Sequence, residues 1–268
     1  MKLVAIARAP ERPDEAAKAL ADAAGFTLAE ARMRLAPEPP ALLARLEAGR
    51  ADALVSALRT AGLAALAVDS EVPSDRDRLV AARLAFSEAG AVFTPRLGEA
   101  MAVAWADVLA TLRGLRAARR ETERTEKSWR FSAAAAIVTG GLEMTRRVER
   151  TVRSSEESTG QVILVYARDG RAAMLAEGGL DFTCLGPGLQ PSSTANMAEV
   201  ARRLREAAKG AFYDERLLRL ARRSLPFLGG GESRSQTATT VTKRSDTSGS
   251  LDVLAEVMRQ ALAEGLLP

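Results

Sequence analysis

Histidine is missing from all 268 residues, and cysteine occurs once, as Cys184. Histidine is the side chain best suited to proton exchange near neutral pH and the commonest metal ligand. Its absence rules out a Ser-His-Asp triad, a Cys-His nucleophile pair and a His-ligated metal. Cys184 sits in Asp181-Phe182-Thr183-Cys184-Leu185-Gly186. With no imidazole to raise its thiolate fraction, it reads as a buried structural thiol. Acid–base chemistry would fall to carboxylate pairs, of which Asp75/Asp77, Glu156/Glu157 and Asp169/Asp181 are the candidates. The first two lie in polar, solvated segments, where pKa values stay ordinary and proton transfer is inefficient. Tyr166, with Lys, Glu or Asp partners, would have to serve any hidden catalysis, and no spacing recommends it. Thr139-Gly140-Gly141 and Gly229-Gly230-Gly231 lack the Gly-Lys-Ser/Thr continuation of a phosphate loop. The expectation is a protein that is not an enzyme and holds no metal or cofactor.

Binding chemistry is better represented. Residues 113–130 carry Arg113, Arg116, Arg119, Arg120, Arg124, Lys127 and Arg130, with Trp129 among them. Such a run could contact nucleic acid or another polyanion. Against this stands the composition. Net charge is only +4, Arg far outnumbers Lys, and Asn occurs once, a pattern that GC-rich codon usage writes. A solvated basic surface is the simpler reading of the stretch. The sharper lead is at the end of the chain. Residues 229–250 are mostly Gly, Ser and Thr and predict a flexible linker. Beyond it, residues 251–268 predict an amphipathic helix capped by Ser250, with Leu251, Leu254, Met258 and Leu262 on one stripe. A leashed helix of this kind docks into a groove on another protein or a second copy, or folds back on its own body.

The elements that must position these groups divide the chain. Residues 1–70 read as strand, helix, helix, strand, helix, strand. Leu3, Val4 and Ile6 suit the first strand, and a helix capped by Asp14 follows, with Ala16, Ala17, Leu20, Ala23 and Ala24 inward. Thr27 and Glu30 form a capping-box pattern for a second helix, which Pro37, Pro39 and Pro40 stop. A third helix over 50–61 would bury Ala53, Leu54, Ala57 and Leu58. Gly25-Phe26-Thr27-Leu28-Ala29-Glu30-Ala31-Arg32, Ala36-Pro37 and Ala57-Leu58-Arg59-Thr60-Ala61-Gly62 carry a resemblance. This order and these motifs resemble the C-terminal domain of the bacterial ribosomal stalk protein L7/L12, a fold shared with ClpS-type adaptors. The resemblance implies a small domain that docks protein partners through its first two helices, and Lys18 and Arg32 match basic positions of that surface.

Residues 71–89 read as a charged connector, and 90–228 as a β-rich antiparallel domain with covering helices. Within it, 161–167 is the strongest strand, and Asp169-Gly170 turns it into 171–176. Residues 154–160 read as a loop tip. Asn196, with Glu199 three residues on, predicts a helix start, and Asp214 starts another short helix. A sheet with one terminal helix is at best similar to a pleckstrin-homology fold. The whole predicts an α+β protein, cytoplasmic for want of a signal segment or a membrane span, and acting as a non-enzymatic adaptor or scaffold subunit, oligomeric or partnered.

Overall fold

The computed structural model describes residues 1–131, 145–220, 225, 233–236, 240–246 and 248–268, with side chains over 1–117, 159–220, 225 and 249–268. The architecture is α+β, with one antiparallel and one mixed sheet. Among the described residues, no helix is long and apolar enough to cross a membrane.

The first sheet has the order β2-β1-β3, with β1 Lys2–Ile6, β2 Ala41–Leu46 and β3 Ala65–Asp69, all antiparallel. Three helices, α1 Pro13–Ala24, α2 Leu28–Leu35 and α3 Ala48–Thr60, cover one face. Period-two alternation divides the strands. Val4, Ile6 and Leu43 face the helices, and Leu3, Ala5, Leu42, Leu66 and Val68 face the other way. The Thr27–Glu30 capping box forms as expected. Asp14 lies inside the first turn of α1 rather than capping it. In α3 the buried positions are Ala51, Leu54, Val55 and Leu58, while Ala53 and Ala57 are exposed. Runs of alanine carry too little contrast to set a helix's rotation. The larger Val55 decided it.

The second sheet has the order β11-β12-β7-β8-β9-β4-β5-β6, with β10 beside β7. Its strands are β4 Leu79–Phe86, β5 Gly90–Pro95, β6 Met101–Ala104, β7 Val108–Phe131, β8 Thr145–Ala167, β9 Ala172–Ala176, β10 Phe212–Asp214, β11 Ser233–Gln236 and β12 Thr240–Asp246. The β4/β9 and β10/β7 pairs are parallel, so the expected purely antiparallel sheet is mixed. The connector ends at Arg78, because Leu79, Ala81 and Leu84 supply a strand's inward face. The expected loop at 154–160 lies inside β8, opposite 116–122 of β7. The expected linker also fails where it is described. Residues 233–236 and 240–246 pair with each other, and 240–246 pair with β7. Backbone ladders need no apolar side chains, so polar composition alone did not forbid them. The rest of that segment, 229–232, 237–239 and 247, lies outside the described residues.

Helices α4 Ser193–Ala207, α5 Leu217–Leu220 and α6 Ser248–Ala263 complete the fold. Ser192 caps α4, and Asn196 is buried inside it, bonding the Gln190 N–H and carbonyl instead. Met197, Val200, Ala201 and Leu204 of α4 close one face of the second sheet over Ile163, Val165 and Leu175. The opposite face, Ala110, Leu112, Val162, Leu164 and Tyr166, meets α6 together with the first sheet. The layers therefore run helices, sheet, α6, sheet, α4. Gly114 permits the close approach. A Cβ there would come 2.5 Å from Leu251 Cδ1 and 3.2 Å from Leu217 Cβ.

The tail helix is thus a core element. Every residue from 251 to 258 is buried. Leu251, Leu254 and Met258 are at most 1% exposed, and Leu262 packs partly buried against the same cluster. These four residues are not an open docking stripe. Val253, Ala255 and Val257 on the other side are equally enclosed, because the two sheets sandwich the helix. Ser250 is inside α6, not its cap.

Arg203 ties α4 to the preceding 3-10 turn, donating to the Cys184 and Leu185 carbonyls while Glu199 holds its Nε at 2.9 Å. The Arg202 and Arg203 guanidiniums hold the Glu199 carboxyl down to about 2, from an ordinary 4.5. A depressed acid stabilises above its unfolded pKa and loses that contribution as pH falls through its folded one. Glu199→Gln should therefore cost about 1 kcal/mol at pH 7. In urea melts the difference from the unaltered protein should fade as pH drops from 4.5 toward 2.

Candidate functional site

Beside the start of β4, the connector builds a polar cluster from both ends of the chain. Asp77 accepts from the Ser74 N–H at 2.9 Å, closing a turn that aims Arg78 inward. Arg78 donates from Nε to the Ser74 carbonyl, at 3.0 Å, and from Nη2 to the Pro73 carbonyl, at 2.9 Å, and to Asp252 Oδ1, at 2.5 Å. Its side chain is 3% exposed, and Asp252's is 8%. Arg116 of β7 grips Asp75 with both terminal nitrogens, at 2.7 and 2.6 Å, and reaches Asp252 at 3.5 Å. Two cations and two carboxylates thus balance. Among the described residues, Arg78 Nη1 is buried with no hydrogen-bond partner.

Next to this cluster lies a cleft of about 580 Å³, lined by Asp75, Arg78, Val80, Pro95, Arg96 and Leu97 among others. Leu97, 91% exposed, stands on the turn between β5 and β6. The hydrogen bonds from Arg116 hold the Asp75 carboxyl below its usual range. Burial pushes the Asp252 carboxyl up, against the pull of Arg78 and Arg116. Burial likewise raises the Tyr166 phenol and the half-buried Cys184 thiol. A raised thiol is a poor nucleophile and a raised phenol a poor acid near neutral pH. Among the described residues, no three Cys, Asp or Glu side chains gather as metal ligands. The arrangement holds elements together and offers a mixed polar and apolar contact surface.

The residues expected to bind separate into three places. Lys18 is exposed on α1. Arg32 is exposed on α2 and bonds Asp14 of α1 at 2.9 Å, which brings the two helices into one surface. Met33, 75% exposed, and Leu28 lie beside it on α2. Leu251, Leu254, Met258 and Leu262 are in the core, as above. Of the basic stretch, Arg113 is engaged by Gln161, at 2.7 Å, and Glu215, at 3.2 Å, and Arg116 by the cluster. Arg119, Arg120, Arg124, Lys127 and Arg130 follow on β7, and their side chains are outside the described residues. The register sets Arg119 opposite Glu157, Arg120 opposite Glu156 and Lys127 opposite Glu149. The same registers set Arg130 opposite Arg146 and Arg120 opposite Arg244 of β12, so facing carboxylates offset only part of the basic run. Opposite charges facing across strands are worth roughly 0.2–1 kcal/mol each.

What the sequence reading passed over is the β7–β8 hairpin itself. β9 accompanies β8 only from Val162 to Tyr166, yet the β7–β8 ladder continues without a register shift to Phe131 opposite Thr145. At ~3.3 Å per residue that continuation is about 50 Å long. The signal was present as Thr and Val at every few positions of 145–160, without proline. The charged residues between them masked it. The Arg78–Asp252 bond was equally hidden, since its partners stand 174 residues apart. Two acidic residues, Asp252 and Glu256, within an otherwise apolar helical run were the hint.

Compared with protein-family models, with curated proteins and with solved structures, the chain matches none.

Proposed function

We propose that this protein is a non-enzymatic adaptor or scaffold subunit, acting in the cytoplasm, that docks partners through a long β-ribbon and through the α1–α2 surface. The observation that carries the reading is the extension of the β7–β8 ladder about 50 Å past its last contact with β9. β12 accompanies β7 as far as Arg124, and beyond it 125–131 and 145–151 pair only with each other among the described residues. An isolated hairpin is marginally stable in water, so this end gains most when another surface pairs with it or packs on it. The α1–α2 surface is the second element. The strand–helix–helix–strand–helix–strand order with sheet order β2-β1-β3 supports a likeness to the stalk-protein and ClpS-type docking domain. Lys18, Arg32 and the exposed Met33 would be its contacts.

The test excises 125–151 and joins Arg124 to Val152 through Asn-Gly, which keeps the β12 pairing and closes the ladder with a two-residue turn. Cross-linking in the native host identifies the neighbour. Purified neighbour and purified chain are then recombined. The full chain should bind it, and the excised chain should bind at least about tenfold more weakly with an unchanged melting temperature. Equal binding by both, or no direct binding by the full chain, overturns the reading. Binding instead to nucleic acid, with affinity falling steeply in salt, would favour polyanion recognition.

A further inference from the structure

Resting on the ribbon as the docking element, we propose that its partner is a second copy of this chain, joined antiparallel along the free edge of β8 with Thr151 on the twofold axis. Among the described residues, no strand pairs with β8 over 145–160 on the side away from β7. Natural edges are protected by proline, by charged side chains and lysine above all, by bulges or by short length. This edge has neither proline nor lysine, keeps an unshifted register and spans sixteen residues, and its seven charged residues are of both signs, so a partner of matching charge order can pair with it. It also carries Val148, Thr151, Val152 and Thr159, residues that favour extended pairing.

Charge complementarity names the occupant. With Thr151 opposite its own copy, Arg146 falls opposite Glu156 and Glu149 opposite Arg153. Symmetry repeats both pairs, and no like charges face each other. Arg150 meets Val152, Arg147 meets Ser155 and Val148 meets Ser154. A slip of one residue in one direction sets Arg150 against Arg153. A slip in the other direction removes every opposite-charge pair. Within the hairpin, Glu149, Arg150, Arg153, Glu156 and Glu157 each lie opposite a residue of opposite sign on β7. Arg146 and Arg147 do not, facing Arg130 and Trp129. The copy's Glu156 and Glu157 arrive at that end. An isologous contact of this kind closes at two copies and joins the two ribbons into one continuous sheet.

Sedimentation of the full chain from ~1 to ~100 µM measures the association, and Arg146→Glu tests its register. That change places a carboxylate opposite Arg130 within the hairpin, so it should not weaken the fold. Across the axis it opposes two carboxylate pairs and should weaken dimerisation about tenfold or more. Arg146→Glu combined with Glu156→Arg restores opposite signs across the axis and should restore the dimer, while setting one like-charge pair with Arg120 inside each hairpin, which a melting curve of the double variant measures. In a Cys184→Ser background, Thr151→Cys should cross-link to a dimer through a short bifunctional reagent. Thr159→Cys should not, being about 50 Å from its copy. A chain that stays monomeric at ~100 µM overturns the proposal, as does a dimer indifferent to Arg146→Glu or one cross-linked at 159. If the monomer still loses a host protein when 125–151 is excised, self-pairing fails and the adaptor reading stands. If neither association exists, both fail.

Discussion

Truncation before Gly249 should unfold the body rather than release a docking arm. The helix removed carries Leu251, Val253, Leu254, Ala255, Val257, Met258 and Ala261, all at most 2% exposed. Burial of a large aliphatic side chain contributes about 1.5–3 kcal/mol. Five such side chains here exceed about 7 kcal/mol before ordering costs, comparable to the whole net stability of a typical domain. Their loss also strips both sheets, leaving Leu3, Leu66, Leu112 and Leu164 facing water. The expected product binds a hydrophobic dye, keeps far-ultraviolet dichroism and loses near-ultraviolet dichroism, or is insoluble. A truncated chain that melts cooperatively at the original temperature would contradict the sandwich. Met258→Ala gives the graded version and should cost about 2–5 kcal/mol.

The second large effect belongs to the Arg78–Asp252 bond. Removing one partner of a buried ion pair costs about 3–5 kcal/mol, because the other charge is left without compensation. Asp252→Ala should show most of this. It leaves Arg78 with the Pro73 and Ser74 carbonyls and the half-exposed Asp75 at 3.7 Å, and with one N–H that has no partner among the described residues. Arg78→Met should cost less, since Arg116 still reaches Asp252. Replacing both, Arg78→Met with Asp252→Leu, should recover most of the loss, as apolar substitutes of similar volume often do. Urea denaturation of the four proteins closes the cycle. Equal, small effects for each single change would mean that the pair is solvated and that α6 is held by apolar contact alone. The bond joins the connector to the tail helix, as Arg59–Glu264, Arg216 on the Pro39 carbonyl and Arg219–Glu38 join the first unit to later elements. Together with the shared apolar layer, they tie the first unit, which keeps a sheet and a helix-covered core of its own, to the rest of the chain.

How far the sequence spoke depended on the range of the interactions involved. The Thr27–Glu30 capping box and the three prolines after α2 act within a few residues, and both were legible. So was the β8–β9 hairpin at Asp169-Gly170, where apolar runs flank a residue with positive φ. The order of elements through residue 69 followed from such signals. The rotation of α3 did not, because alanine fits either face. For the binding residues, Lys18 and Arg32 were placed on exposed helix surfaces, and the tail stripe was not.

Sequence by itself determined that histidine chemistry is closed to this protein, that the residues through 69 alternate helix and strand as they do, and that the last helix must bury an apolar stripe. Tertiary structure alone decided what buries it. Two sheets made far apart along the chain close on both sides of that helix, and an arginine before β4 neutralises its aspartate. Local patterns report only that a surface needs covering; what covers it depends on which distant surfaces reach it first and fit.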